Sequence, residues 1–340
     1  MTGSVANRTQ LERLFDPQSI AVIGASSNPS KRGYHAIRAL QQSGYMFPVH
    51  PVNPGASEIL GVPVTPAIEN LPFGIDVALI ALPARAVPDA LRECATAGIA
   101  GAVVLANGFK EIGEGGSELE ARLLEAVSET GIRVIGPNTS GMLNASTGAN
   151  LVGLDPVPTG PISVITQSGN MLLSLVNENK VLRGPGFHVY VGLGNQSDVR
   201  DAECVTELVR DQHTGVVAMH SEGFQDGRAF LIAAAAATVD KPVVLLRGGR
   251  CEIGQRSAHS HTGSIAGSDA VATAVLAQSG IELVDRADEL AVLSGALAIC
   301  PPIVPGRKVV ILSDGGGHAT LAADALSAAV LSDAASEECR

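Results

Sequence analysis

Short apolar runs rich in Val, Ile and Leu recur along this chain at helix-length intervals, an alternation that few folds accommodate. The first series comprises Ile20 to Gly24, Phe47 to Val52, Asp76 to Leu82, Ala102 to Leu105, and Val134 to Ile135. A second comprises Ile162 to Thr166, His188 to Val191, Gly215 to His220, Val243 to Arg247, and Ile281 to Val284. Runs this apolar suit strands covered on both faces, and strands that alternate with helices make parallel sheets. The expected class is α/β, with two doubly wound sheets in succession. Composition agrees, because 46% hydrophobic and 17% charged residues exclude a disordered chain.

Between Asn144 and Pro161 the periodicity is lost, and Gly153, Pro156, Pro158, Gly160 and Pro161 gather as in an interdomain linker. After Pro301-Pro302-Ile-Val-Pro305 a fresh run, Lys308 to Leu312, leads into Asp314-Gly-Gly-Gly317 and an Ala-rich helix. The organisation expected is a first domain over 1–145, a second over 160–302, and the incomplete start of a third over 303–340.

Several function classes are disfavoured. A net charge of -11 with no basic block lacks the footprint that neutralises a nucleic-acid backbone. The five cysteines (Cys94, Cys204, Cys251, Cys300, Cys339) are scattered and odd in number, as free thiols in a reducing compartment would be. They lack paired ligand spacing, so no metal site is expected. Met1 to Arg8 holds no signal-type apolar core, and no run reaches the roughly eighteen apolar residues of a membrane span. A cytoplasmic protein is expected.

Chemistry gathers at the strand ends. The first strand closes in Gly24-Ala-Ser-Ser-Asn-Pro and a helix starts near Gly33, the context of a nucleotide-binding turn without the full G-x-G-x-x-G spacing. Thr166-Gln-Ser-Gly-Asn170 also ends a strand and opens a helix, so free backbone N–H groups and the helix dipole would face an anion. Gln167, Ser168, Gly169 and Asn170 are therefore candidate phosphate contacts. Gly192-Leu-Gly-Asn-Gln-Ser-Asp198 forms a further strand-end loop of the same sheet. Ser257-Ala-His-Ser-His-Thr-Gly-Ser-Ile-Ala-Gly267 sets His259 and His261 among small residues just before a helix. An imidazole can carry a phosphoryl group when a carboxylate orients the ring. Glu222, at the end of the strand Gly215 to His220 and followed by Gly223, is the candidate carboxylate. Each feature also has a plainer reading taken singly: a solvated histidine, a strand-end acid, Ser168 as a helix cap, and Gly24 and Gly33 as the tight turn of any doubly wound sheet.

The ordered set is more specific than its parts. It comprises Leu14-Phe-Asp-Pro-Gln-Ser-Ile-Ala-Val-Ile-Gly-Ala-Ser26, Pro51-Val-Asn-Pro54, Asn107-Gly-Phe-Lys-Glu111, Gly136-Pro-Asn-Thr-Ser-Gly141, Thr166-Gln-Ser-Gly169, Gly194-Asn195 and Ser260-His-Thr-Gly263. Over nearly the whole chain this resembles the nucleoside-diphosphate-forming acyl-CoA synthetases and the related α subunit of succinyl-CoA synthetase. The resemblance implies a Rossmann-like CoA-binding domain followed by a flavodoxin-like ligase domain. It implies CoA phosphates near the Gly24 to Ser30 loop, with Gly24, Ala25, Ser26, Ser27, Lys31, Val52, Asn53 and Pro83 as contacts. It makes His261, inside Ser-His-Thr-Gly, the phosphorylated residue, and Glu222 its support.

The implied reaction converts acyl-CoA, inorganic phosphate and ADP reversibly into a carboxylic acid, CoA and ATP. No Lys- and Glu-bearing ATP-grasp region is found in the sequence, so ADP/ATP and Mg2+ would be held by an ATP-grasp subunit or domain in an oligomeric assembly. Thr139 departs from the cysteine that many relatives carry, which bears on substrate fit. The acyl group is not legible. Two other readings compete: a catalytically incomplete CoA- or acyl-CoA-binding regulatory protein, and a dinucleotide-binding oxidoreductase. The latter would need an acidic ribose ligand where Pro51-Val-Asn-Pro54 offers none.

Overall fold

The structure is a computed structural model that describes residues 8–251, 253–254, 269–300 and 310–338. Its first sheet contains β1 (Ile20–Ile23), β2 (Val49–Val52), β5 (Val77–Ile80), β6 (Gly101–Val104) and β7 (Arg133–Ile135), while β3 (Glu58–Ile59) and β4 (Val62–Pro63) form a separate small hairpin. The order is β2-β1-β5-β6-β7, parallel throughout. The chain leaves β1 in one direction and β5 in the other, so a crevice opens at their carboxyl ends. All four residues of β1, β5 and β6 are buried, which explains why these strands read as unbroken apolar runs.

The second sheet contains β8 (Met142–Asn144), β9 (Ala149–Asn150), β10 (Thr159–Thr166), β11 (Phe187–Gly192), β12 (Val216–Ser221), β13 (Val243–Arg247) and β14 (Glu282–Val284). Its order is β14-β13-β12-β10-β11-β8-β9, with the five strands from β10 onward parallel and a switch point between β10 and β12. The expected α/β architecture, Rossmann-like and then flavodoxin-like, is present. One difference concerns the stretch expected as a linker from Asn144. Here β8 pairs antiparallel with β11, and β9 with β8, extending the second sheet. Strands of three and two residues are too short to leave a periodic signal.

The two sheets share one of three apolar clusters, and each has a second cluster of its own. A single apolar cluster runs from Leu14, Val22 and Ile135 through Met142 to Ile165, Val191 and Leu208. Consequently residues up to Cys300 form one compact unit, and Pro301–Arg340 a second. The motif at Leu14-Phe15 belongs to this packing. A capping box between Thr9 and Glu12 starts the helix Gln10–Phe15, and Leu14, fully buried, occupies the space that a side chain at Gly101 would need. Burial of one such side chain contributes about 1.5–3 kcal/mol.

In the second unit the helix Gly316–Glu338 forms as expected. The strand expected over Lys308 to Leu312 does not appear at Val310–Leu312, where the backbone is irregular, and Lys308 and Val309 lie outside the described residues. Val310 and Leu312 are more than nine-tenths exposed. A parallel strand exists only through bonds to a neighbour, and no described residue supplies them here.

Candidate functional site

The crevice of the first sheet has a volume of ≈ 570 Å³ and is walled by the ends of β1, β2 and β5. Of the expected CoA contacts, Gly24, Ala25, Ser26, Lys31, Val52 and Asn53 line it; Ser27 and Pro83 do not, and Ala81 and Leu82 take the place of Pro83. The Asn53 side chain is committed to the wall: its amide donates to the Ala25 carbonyl at 2.6 Å and its oxygen accepts from the Gly55 N–H at 2.7 Å. Asn28 shapes the loop, its oxygen accepting from both the N–H and the hydroxyl of Ser30 at 2.9 Å. The helix Arg32–Gln42 then begins on Lys31 with no side chain capping it, so its first N–H groups are left for an anion. Gly33 lets this helix approach β1. A Cβ at that position would overlap the Gly24 carbonyl oxygen and stand 3.0 Å from Ala25 Cα.

A second cleft, of ≈ 610 Å³, lies at the switch point of the second sheet. Gln167, Ser168, Gly169, Asn170 and Glu222 all line it, so the residues singled out on β10 and β12 do converge. Facing them are Asn138, Thr139 and Ser140, together with Arg32, His35 and Arg38 from the helix Arg32–Gln42. Gln167, expected as a phosphate contact, also has a structural part to play. Its oxygen accepts from the Glu222 N–H at 2.7 Å, and its amide donates to the Gly223 carbonyl at 2.7 Å and to Ser221 Oγ at 3.2 Å. It splints the two strand ends and fixes the backbone of Glu222. The helix Met171–Leu182 starts at Asn170, again with no side-chain cap, leaving first-turn N–H groups facing the cleft.

Arg32 lines both cavities and donates to the Ser140 carbonyl at 3.2 Å. Burial lowers its pKa from the ordinary value, yet a guanidinium keeps its charge. No sequence pattern distinguished it from its neighbour Lys31. Thr139, the departure from the usual cysteine, is buried; its hydroxyl donates to the Gly192 carbonyl and accepts from the Gly141 N–H at 3.0 Å. It braces the loop, and Gly192 is what allows that loop so close, since a Cβ there would stand 2.9 Å from Thr139 Oγ1.

Asn107-Gly-Phe-Lys-Glu111 and Gly194-Asn195, distant in sequence, form a clasp between the sheets. Asn195 donates to Glu111 at 2.7 Å and to Glu120 at 3.0 Å, and Lys110 Nζ bonds the Asn195 carbonyl at 2.8 Å and pairs with Glu120 at 3.0 Å. Ser197 completes the set by donating to Glu120 at 2.5 Å. Burial alone would raise the pKa of Glu111, but bonds from Asn195 and from the Gly108 and Phe109 N–H groups hold it below the ordinary range. Glu120 carried no sequence signal, being one acid among several on the helix Glu114–Thr130.

Two buried titratable groups flank these loops. His220 is pushed down to about 4 by burial and is neutral at pH 7. Asp201 is pushed up to about 6 by burial, and its Oδ2 has no hydrogen-bond partner. Because this acid is harder to ionise folded than unfolded, it costs nothing below its unfolded pKa near 4. The cost grows as pH rises towards 6 and is then constant at about 3 kcal/mol. Asp201→Asn is therefore expected to stabilise the chain at pH 7.5 by about 1–2 kcal/mol, since the amide leaves one polar group unpaired. Urea unfolding would show that gain vanishing at pH 4; a gain independent of pH would contradict the assignment.

His261, His259 and the rest of Ser257–Gly267 lie outside the described residues. Described residues on either side of that segment include Gly248 and Asp269. Gly248 follows β13, its N–H donating to the Ser221 carbonyl at 2.8 Å, and a Cβ there would lie 3.5 Å from Glu222 Cγ. Asp269, where the helix Asp269–Gln278 begins, pairs with Arg247 at the end of β13.

Each of the two sheets falls largely within the span of a known family. Residues 18–145 match the CoA binding domain family, and residues 159–297 the succinyl-CoA ligase like flavodoxin domain family. The α subunit of the ADP-forming acetate–CoA ligase II of Pyrococcus furiosus is 36% identical over 316 residues, which are 92% of this chain and 68% of that subunit. The chain belongs to the NDP-forming acyl-CoA synthetase family. Within that family, the ADP-forming acetate–CoA ligase II of Archaeoglobus fulgidus is 40% identical over 320 residues, or 93% of this chain and 47% of that protein. The chain thus spans about half the length of that relative. Among solved structures, the dinucleotide forming acetyl-coenzyme A synthetase 1 of Ca. Korarchaeum cryptofilum, in complex with phosphate and ADP, superposes with a TM-score of 0.85 at 37% identity. That match covers 90% of this chain and 66% of the other. This chain aligns with the α subunit of the Pyrococcus furiosus ligase over most of its length, and no described helix is long and apolar enough to cross a membrane.

Proposed function

We propose that the chain binds CoA in the first-sheet crevice and carries a phosphohistidine at His261, as the part of an NDP-forming acyl-CoA synthetase that handles thioester and phosphate. The observation that carries this reading is Arg32, which lines both clefts and so joins a CoA crevice to an anion-binding helix start. Inorganic phosphate at the first turn after Asn170 attacks the thioester carbonyl, the C–S bond breaks, and CoA leaves as the thiol, giving an acyl phosphate. His261 then attacks phosphorus, releasing the carboxylate and retaining the phosphoryl group. Glu222 orients the imidazole and balances its charge. The phosphohistidine passes its group to ADP with Mg2+, both held by an ATP-grasp partner.

The domain limits of 1–145, 160–302 and 303–340 are part of the same proposal, as are Gly24, Ala25, Ser26, Lys31, Val52 and Asn53 as the CoA wall. The test is peptide mass spectrometry after exposure to Mg-ATP and an extract of the source cells. An acid-labile, alkali-stable phosphate on His261, lost in His261→Ala with CoA affinity unchanged, is expected. Its absence, with CoA binding intact and a known synthetase positive in parallel, would favour a regulatory CoA-binding protein.

A further inference from the structure

The opposite edge of the second sheet holds a cluster that this chemistry does not use. His188, near the amino end of β11, meets Asp211 and His213, which follow the helix Asp201–Arg210. One ligand atom from each lies within 4.8 Å of the other two. His188 is buried, and its Nδ1 lies 2.8 Å from Ser146 Oγ, which leaves Nε2 directed at Asp211 Oδ2. The other oxygen of Asp211 lies 3.3 Å from His213 Nδ1 and accepts the His213 N–H at 2.9 Å, fixing the carboxylate. All three side chains open on a cavity of ≈ 540 Å³ whose wall also carries Glu12, Asp16 and Glu207 beside Arg8 and Arg210.

We propose that His188, Asp211 and His213 bind a divalent transition-metal ion, with zinc as the representative ligand. Two imidazoles and a carboxylate are a borderline N/O donor set suited to that ion, and three protein ligands leave a fourth position open to the cavity. Tetrahedral bonds of about 2.0–2.1 Å set ligand atoms about 3.3 Å apart. The Asp211–His213 separation already has that value; His188 Nε2, which lies 2.5 Å from Asp211 Oδ2, must part from that oxygen by a little under about 1 Å on metal binding, and His213, whose side chain is 77% exposed, is free to turn. The Ser146–His188 bond is the outer contact that fixes which imidazole nitrogen faces a metal. Scattered cysteines could not reveal this site, because its ligands are imidazole and carboxylate and one lies more than twenty residues from the others in sequence.

The experiment is calorimetric titration of zinc chloride into the untagged, chelator-stripped full chain. One site with a micromolar or tighter dissociation constant is expected, with a melting temperature raised by about 2–5 °C at saturation. His213→Ala, at an exposed position that leaves the fold intact, is expected to remove it, and Ser146→Ala to weaken it about tenfold. Absence of binding to the wild-type chain, or a titration unchanged by His213→Ala, overturns the proposal.

Discussion

Gly33→Ala will weaken CoA binding about a hundredfold, while Gly115→Ala, where an added Cβ meets nothing within 4 Å, will leave it unchanged. The added methyl at Gly33 would collide with the Gly24 carbonyl and press on Ala25 Cα. Both are backbone atoms, so no side-chain rotation relieves the overlap, and the helix Arg32–Gln42 must back away from the loop it closes. Its uncapped N–H groups then lose register with the phosphates. A hundredfold is about 2.7 kcal/mol, the worth of one or two hydrogen bonds to a charged group. Calorimetry with CoA, paired with melting curves to separate misfolding from lost contact, reads the effect. Undiminished affinity in a shifted helix would place CoA elsewhere.

The larger effect is expected from Glu222→Gln: phosphoryl transfer through His261 slower by roughly 10²- to 10⁴-fold, the range set by removing a proton-handling or charge-balancing group at a reacting imidazole. The substitution is nearly isosteric, and among the described residues the backbone N–H of Glu222 is held by Gln167. Melting temperature and CoA affinity should therefore stay close to those of the unmodified chain. Rapid-quench measurement of phosphohistidine formation distinguishes the cases, and a rate unchanged within twofold would remove Glu222 from the chemistry.

Much of this architecture was legible because of how it is buried. β1, β5 and β6 are covered on both faces and so appear in sequence as unbroken apolar runs bounded by glycine-containing turns. The clustering of Gln167 to Asn170 with Glu222 followed from topology, since loops at the carboxyl ends of β10 and β12 must meet at a switch point. Arg32, Thr139 and Glu120 were less legible for a common reason: each acts through a partner far away in sequence, respectively Ser140, Gly192 and Asn195. A pattern read along the chain records spacing, whereas these residues are defined by what lies across a gap. The same applies to Asn107 to Glu111, which served as a signature and in the fold closes a clasp.

The apolar cluster running from Leu14 to Leu208 has a thermodynamic consequence. Sheets that melt together cannot be stabilised separately. A molecule that grips the loops after β1 raises the free energy of opening those after β10 as well, because neither set can unravel without exposing the seam they hold in common. Occupancy of the first crevice thus reaches the second as added resistance to unfolding, with no displacement of either sheet required.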